Sequence, residues 1–460
     1  MRYFLLLVVF YTNALYTQNL SIEEYLSWVI QEHPLTANAK LLTEKGNAQW
    51  LQTKGLFDPV LTSKWKNKFY SDKNYYQQST TTLEVPTPFA VGLNAQLDFN
   101  NGAFINPEDV IPNNGLASIG ISLPVLQGLI IDERRMAKQR AERIQAMCEL
   151  ETTIAINELL FQSCEFYLDW LISEKKVSIQ NGLLQAANQR HEATKARFLG
   201  GDRAALDTLE SFIQKETRKQ QFQDATLENI KVRLAMVAFK NNQNKSSILN
   251  KTIIPEPTAF QKITSVLFSS PEIERQFQQH PEIIWYQTKA DILLIEQKWK
   301  KEKLKPKLNL EYNFLNKPIE NSAYSFSTEN YKWGVDFSIP LLLREARGDL
   351  KMQNVKILEN QNNLLWKKQQ ILQKIEYLQT QQTIMRQQFS IAQQNSLNGE
   401  KLLQGENIKF NNGESSVFLV NQRENYYLDQ QQKALDYERK WIQSHVELRY
   451  QLFLPYTIIP

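Results

Sequence analysis

Cysteine is nearly absent from this chain of 460 residues, which has two, Cys148 and Cys164. They stand 16 positions apart in one stretch of helical pattern. At about 1.5 Å per residue that separation is roughly 24 Å, far beyond disulfide reach, so both read as buried apolar fillers. Histidine is also scarce: His33, His191, His280 and His445 show neither HxxxH nor HxH spacing, which argues against a metal site. No Ser, Cys or carboxylate constellation suggests catalysis, so neither enzyme activity nor a cofactor is expected. An excess of one charge is missing too. The 53 basic and 49 acidic residues leave a net of +4 with no basic block, which removes nucleic acid as the main partner. Beyond the N-terminus no apolar run approaches the ~18 residues of a membrane helix, so any membrane role must come through strands.

What is present begins with MRYFLLLVVFYTNALYTQ: Arg2, an apolar run from Phe4 to Phe10, then smaller and more polar residues. This is the layout of a secretory signal peptide, assigned to residues 1–17, although the small-x-small cleavage pattern is weak. It holds no cysteine for a lipid anchor at the mature N-terminus.

The remainder repeats itself. His33-Pro34 and His280-Pro281 each precede a second proline by the same interval, so Pro34 and Pro59 map onto Pro281 and Pro306 with a constant offset of 247. Pro124 and Pro340 follow at an offset of 216, and Gly201 and Gly413 at 212. The fall of 31 in the offset assigns the first copy a longer insertion, around residues 70–117, which would add an external hairpin or a cap. The expected organisation is a first repeat over 18–250, a linker over 251–271 and a second repeat over 272–460.

Within each copy a short helix opens after His-Pro, with proline where its missing N–H costs nothing. The period then switches to two. Leu61, Trp65 and Phe69 alternate with Lys64, Lys66 and Lys68; Leu308, Leu310, Tyr312 and Phe314 alternate with Lys307, Asn309, Glu311 and Asn313. The returning strands carry Ile119, Ile121 and Leu123 in one copy, and Trp333, Val335, Phe337 and Ile339 against Lys332, Gly334, Asp336 and Ser338 in the other. Each hairpin thus has an apolar face and a polar one, as either a membrane strand pair or a half-exposed soluble sheet would. Long helices follow, with Ile357, Leu364, Ile371, Leu378, Met385 and Ala392 every seven residues and Ile375 and Phe389 at the four-residue offset. Val420, Tyr427, Ala434, Trp441 and Leu448 continue the rhythm, which implies helices wound together. A continuous helix from Arg347 to Lys409 would reach on the order of 95 Å.

About four strands per chain cannot close a membrane barrel, because an open edge in lipid leaves backbone groups unpaired. A barrel must therefore be shared, and three chains with twelve strands leave a useful lumen where two with eight do not. Lys64, Lys66, Lys68 and Lys332 suit a wet lumen; Leu61, Trp65, Phe69, Leu308, Leu310, Tyr312, Phe314, Trp333, Val335 and Phe337 suit lipid.

Two stretches interrupt the helices, RFLGGDR (197–203) and KFNNGES (409–415). The first, alone, is compatible with an anion nest between Arg197 and Arg203, but a nucleotide site's flanking strand is missing. As helical-hairpin tips, near 198–203 and 410–415, both are accounted for together.

The ordered set, given twice, resembles the TolC-type outer membrane efflux protein family over essentially the whole mature chain. FDP (57–59), PTPF (86–89) and NPE (106–108) resemble a branch seen in Bacteroidota. The resemblance implies an α+β membrane protein. Its homotrimer would share a 12-stranded transmembrane β-barrel continuing into a long α-helical coiled-coil periplasmic barrel, in the outer membrane of a Gram-negative bacterium. It implies an exit duct of a tripartite efflux or type I secretion-like system, partnered by a periplasmic adaptor, an inner-membrane transporter and outer membrane lipid. The family's adaptor-docking tips fall on Arg197, Phe198, Gly200, Gly201, Asp202 and Arg203, and on Lys409, Phe410, Gly413, Glu414 and Ser415. Asp202-Arg203 and Glu414-Ser415 depart from the usual small or hydroxylated residue after the glycine. Glu400 and Glu406, near the second tip, would form an acidic ring at the entrance if they faced the lumen, or else a solvated outer face. The alternative to a channel is a secreted or periplasmic coiled-coil scaffold without a pore.

Overall fold

A computed structural model describes residues 18–112, 115–238, 253–266, 268–316, 326 and 328–456. The signal peptide expected over 1–17 lies outside the described residues, as do the expected end of the first repeat and start of the linker, 239–252. In chain order the elements are β1 (Gln18–Leu20), α1 (Ile22–Glu32), α2 (Pro34–Lys54), β2 (Val60–Tyr70), β3 (Lys73–Pro86), β4 (Gly92–Asn101), β5 (Leu116–Pro124), α3 (Glu133–Leu199) and α4 (Ala205–Ala238). Then come β6 (Ile253–Pro255), α5 (Gln261–Ser265), α6 (Ser270–Gln278), α7 (Pro281–Glu302), β7 (Lys307–Asn316), β8 (Tyr331–Ser338), α8 (Arg344–Asn411) and α9 (Val417–Gln451). No helix among the described residues is long and apolar enough to cross a membrane.

The chain divides into two compact units, each drawn from both halves of the sequence. One comprises 1–40, 153–281 and 368–460. Its core gathers Ile22, Tyr25, Leu26 and Val29 of α1 with Tyr167, Leu168 and Trp170 of α3, Met236 of α4, Phe260, and Ile442 and Val446 of α9. The apolar stripe of α1 recurs at three- and four-residue steps, so one face of a single helix is covered. Parallel pairing of β1 with β6 ties down the start of this segment, and the buried Tyr167 hydroxyl donates to Leu20 O (2.6 Å). The heptad stripe behaves as packing requires: Ile371, Ile375, Leu378 and Ala392 of α8 are buried, as are Val420 and Leu448 of α9, and Phe389 stacks on Trp441 at 5.8 Å.

His33 stops α1, its N–H bonded to Val29 O, and its Nδ1 accepts from Leu35 N at the start of α2. His280, before Pro281, bonds Gln451 O through Nε2. Both histidines therefore serve helix junctions.

The other unit comprises 41–152 and 282–367. Its helices approach closely at Gly46, where an added Cβ would lie 3.1 Å from Cys148 Cβ, and Trp285 Nε1 donates to Glu151 (3.0 Å). Among the described residues its sheet has six antiparallel strands in the order β2-β3-β4-β5-β7-β8. About four were expected. The additional pair, β3 and β4, comes from the 70–117 insertion, which builds two strands into the middle of the sheet. Cys148 and Cys164 are both on α3, free and buried, and desolvation pushes the Cys164 thiol far above its ordinary range.

Candidate functional site

Two regions carry the candidate residues. The first is the six-stranded sheet, whose register decides which side chains share a face. Lys64 lies opposite Thr80, Thr80 opposite Asp98, and Lys66 opposite Gln78, which pairs with Asn100. Further across, Asn94 meets Gly120, Gly120 meets Asn313, and Asn313 meets Lys332. These residues alternate with the other set: Leu61 opposite Leu83, Leu83 opposite Ala95, Ala95 opposite Ile119, Ile119 opposite Phe314, Phe314 opposite Tyr331. One face is therefore polar across all six strands, and the other is apolar but interrupted by Ser63 of β2 and by Gln77, Ser79 and Thr81 of β3.

The apolar face is uncovered in the single chain. Trp65 is 80% exposed, Trp333 64% and Phe337 63%, with Leu61, Leu93, Phe99, Ile119, Ile121, Leu310 and Val335 also exposed. Leu308, Tyr312 and Phe314 are partly covered, Tyr312 by packing against Phe314 and Tyr331. An exposed apolar band of this breadth is what lipid or a partner covers. Phe69, also exposed, follows a register shift after Lys68. Lys64, Lys66, Lys68 and Lys332 are all exposed, and the Lys68 ammonium sits 4.8 Å from the centre of the Tyr75 ring.

The second region is the pair of helix ends, built on the same plan. At the first, Asp202 N bonds Arg197 O (2.9 Å) and Gly201 N bonds Phe198 O (3.0 Å), with Gly201 at φ +83°. At the second, Glu414 N bonds Lys409 O (2.9 Å) and Gly413 N bonds Phe410 O (3.2 Å), with Gly413 at φ +81°. Both are Schellman caps that need the left-handed conformation at one position. Only Gly201 of the tandem glycines holds it; Gly200 occupies the site filled by Asn412 in the other copy.

The two ends grip each other unequally. Phe410 is buried with Val417 and Val420, whereas Phe198 is exposed. Arg197 donates to Phe410 O (3.3 Å) and Asn411 O (3.2 Å), placing a cation on the carbonyl end of α8. Arg203 donates to Ser415 O, and both guanidinium groups lie over the Phe410 ring, at 5.6 and 4.9 Å. Arg203, expected to face a partner, is thus engaged within the chain, while Phe198, Asp202, Lys409 and Glu414 remain exposed. Ser415 is buried and its hydroxyl donates to Glu406, which also faces Arg423 (3.8 Å). Glu400 accepts from Gln404 (3.4 Å).

Close to these ends is a cluster that sequence reading missed. Glu424 of α9 is fully buried between Arg190 of α3 (2.5 Å) and Arg218 of α4 (2.7 Å). Arg190 also bonds Asn421, and Arg218 also bonds Asn425 and Gln221, so each guanidinium has a further partner besides Glu424. Burial pushes the Glu424 carboxyl up, but the two arginines outweigh it and hold it below its ordinary value. The partners are 234 and 206 positions away on separate helices, so no local spacing signals them.

No family model matches the chain, and no curated protein matches it by sequence. Solved structures do. The outer membrane protein VceC from Vibrio cholerae superposes with a TM-score of 0.70 at 11% identity, covering 95% of this chain and 97% of that one. The chain has the fold of the TolC-type outer membrane channels. The Campylobacter jejuni CmeC outer membrane channel matches the same fold with a TM-score of 0.67 at 11% identity, over 94% of this chain and 85% of its own. The open state of the Neisseria gonorrhoeae MtrE outer membrane channel gives 0.68 at 10%, over 94% and 89%.

Proposed function

We propose that this chain is the outer membrane exit duct of a tripartite efflux or type I secretion-like system in a Gram-negative bacterium. It acts as a homotrimer, receives cargo from a periplasmic adaptor and an inner-membrane transporter, and performs no catalysis. The observation that carries this reading is the two-faced sheet: a band of exposed aromatic and aliphatic side chains backed by a continuous polar face. Lipid satisfies the first and a water-filled lumen the second, whereas a soluble protein would have to cover the apolar side. Lys64, Lys66, Lys68 and Lys332 then line the lumen, and Leu61, Trp65, Phe69, Leu308, Leu310, Tyr312, Phe314, Trp333, Val335 and Phe337 face lipid.

The two helical tips serve as the adaptor-docking end. Exposed Phe198, Asp202, Lys409 and Glu414 make the contact, Arg197 and Arg203 clamp the tips together, and Gly201 and Gly413 set the reversals. Glu406, already held by Ser415 and Arg423, shapes the second tip, which leaves Glu400 as the other candidate for an acidic ring set back from the tip. Support comes from the likeness to solved outer membrane channels. The test is native mass spectrometry of the protein extracted from outer membranes. A three-chain particle that needs detergent is expected; a monomer soluble without detergent would refute the reading.

A further inference from the structure

The 70–117 insertion bears on the size of the duct, an inference that rests on the channel reading above. We propose that β3 and β4 are part of the membrane wall, so that each chain contributes six strands and a closed ring of three copies has eighteen. The resemblance alone implies twelve.

Four observations carry it. First, β3 and β4 lie between β2 and β5, hydrogen-bonded on both sides, and β2 is not a hydrogen-bonded neighbour of β5. Without the inserted pair the first strand would be detached from the rest. Second, β4 keeps the phase of β5, and β3 joins the stripe at Leu83 and Val85, which lie opposite Ala95 and Leu93. Leu93, Ala95 and Leu97 of β4 lie opposite Ile121, Ile119 and Ala117 of β5, while Asn94 and Gln96 lie opposite Gly120 and Ser118. A flap standing outside the membrane has no reason to continue a lipid-facing stripe. Third, the polar face is stitched across the junction. Asn94 Nδ2 on β4 donates to Asn313 Oδ1 on β7 (3.1 Å), passing over the intervening β5 at Gly120. A Cβ on Gly120 would lie 1.7 Å from Asn313 Oδ1 and 2.5 Å from Asn94 Oδ1, so the bridge exists because that position has no side chain. Fourth, β3 has 14 residues and β4 has 10, enough for the ~9–11 residues of a tilted membrane strand.

The same argument names what covers the two free edges. Among the described residues β2 and β8 are the unpaired ends of the sheet; β2 is exposed along its whole length and β8 at every position but Gly334. Hydrocarbon offers their backbone groups no partner, so they must pair with strands of further copies, β8 of one chain against β2 of the next. An even number of antiparallel strands per chain makes that pairing antiparallel, in keeping with the rest of the wall. At eighteen strands a barrel falls in the range of porins that enclose an aqueous channel. The inserted pair also brings Glu84 and Asp98 to the polar face, offsetting its lysines.

Single cysteines at Leu93, Leu97 and Phe99, and at Asn94, Gln96 and Asp98, test this in the full-length protein in outer membranes. The probe is a charged, membrane-impermeant maleimide, scored only on the assembled oligomer. Controls at Val335 and Asp336 report on a strand the channel reading already places in the wall. The expected result is labelling at 94, 96 and 98 and none at 93, 97 and 99 until the membrane is dissolved. Uniform labelling of all six, with Val335 and Asp336 still distinguished, overturns the six-stranded wall and leaves the channel reading intact. Uniform labelling of the controls as well overturns both.

Discussion

At the scale of single residues, the tips depend on two backbone conformations and the helical unit on one buried carboxylate. Replacing Gly413 with alanine leaves room for the methyl group but keeps φ at +81°, a strain of about 1 to 2 kcal/mol for an L-residue. The expected outcome is weaker adaptor crosslinking with the oligomer still assembled; crosslinking equal to wild type would count against the tip assignment. Removing Glu424 strands Arg190 and Arg218 in a dry site, so Glu424→Gln is expected to cost about 3 to 5 kcal/mol, read as a fall in Tm. The depressed pKa of Glu424 means that its contribution is complete above the ordinary carboxylate value of 4.5 and is lost as pH falls through the lowered folded value. His445 governs a different window. Burial, aided by the positive charges of Arg449 and Arg386, lowers its pKa from 6.5 to about 4, so the fold holds it neutral while the unfolded chain takes up a proton. Stability is therefore expected to fall between pH 6.5 and about 4, and His445→Gln to flatten that part of a Tm-against-pH curve. An unchanged slope would show that another group titrates there.

Elements differ in how plainly the sequence announces them. The strands β2, β7 and β8 are legible because aromatic and aliphatic residues alternate with lysine, asparagine and acids, and α8 and α9 because a seven-residue stripe runs through them. The caps at Gly201 and Gly413 are legible as a pair, since either glycine alone admits several explanations. β3 was hidden for a physical reason: Gln77, Ser79 and Thr81 lie on its apolar side, so QQSTTT shows no alternation. β4 does alternate, as Leu93, Ala95, Leu97 and Phe99 against Asn94, Gln96, Asp98 and Asn100, but next to an unmarked strand it had no partner to reveal its role. The contacts of Glu424 and the grip of Arg203 on Phe410 are long-range and leave no trace in local spacing. With Trp333 facing lipid near the bilayer midplane, as proposed, Trp333→Arg is expected to destabilise assembly by about 2 to 4 kcal/mol. Lys332→Gln, one position away on the other face, should assemble normally and alter only ion selectivity. Equal effects of the two substitutions on the heat stability of the oligomer would remove the distinction between the faces.

For the whole molecule, the channel reading proposed above gives the composition of the sequence a common reason. The proposed duct would need no metal ligands, nucleophile or basic groove, and a wall of strands would need no apolar helix. What it needs is a surface that changes character at every second residue and a means of joining copies. The sheet provides the first on both of its faces, and the free edges β2 and β8 call for the second. Single-channel recording in planar bilayers with the purified oligomer tests this most directly. The account predicts discrete, long-lived conductance steps from a three-chain particle, whereas an inserted oligomer that leaves the bilayer electrically silent, with its tips removed so that no closed entrance intervenes, would contradict it.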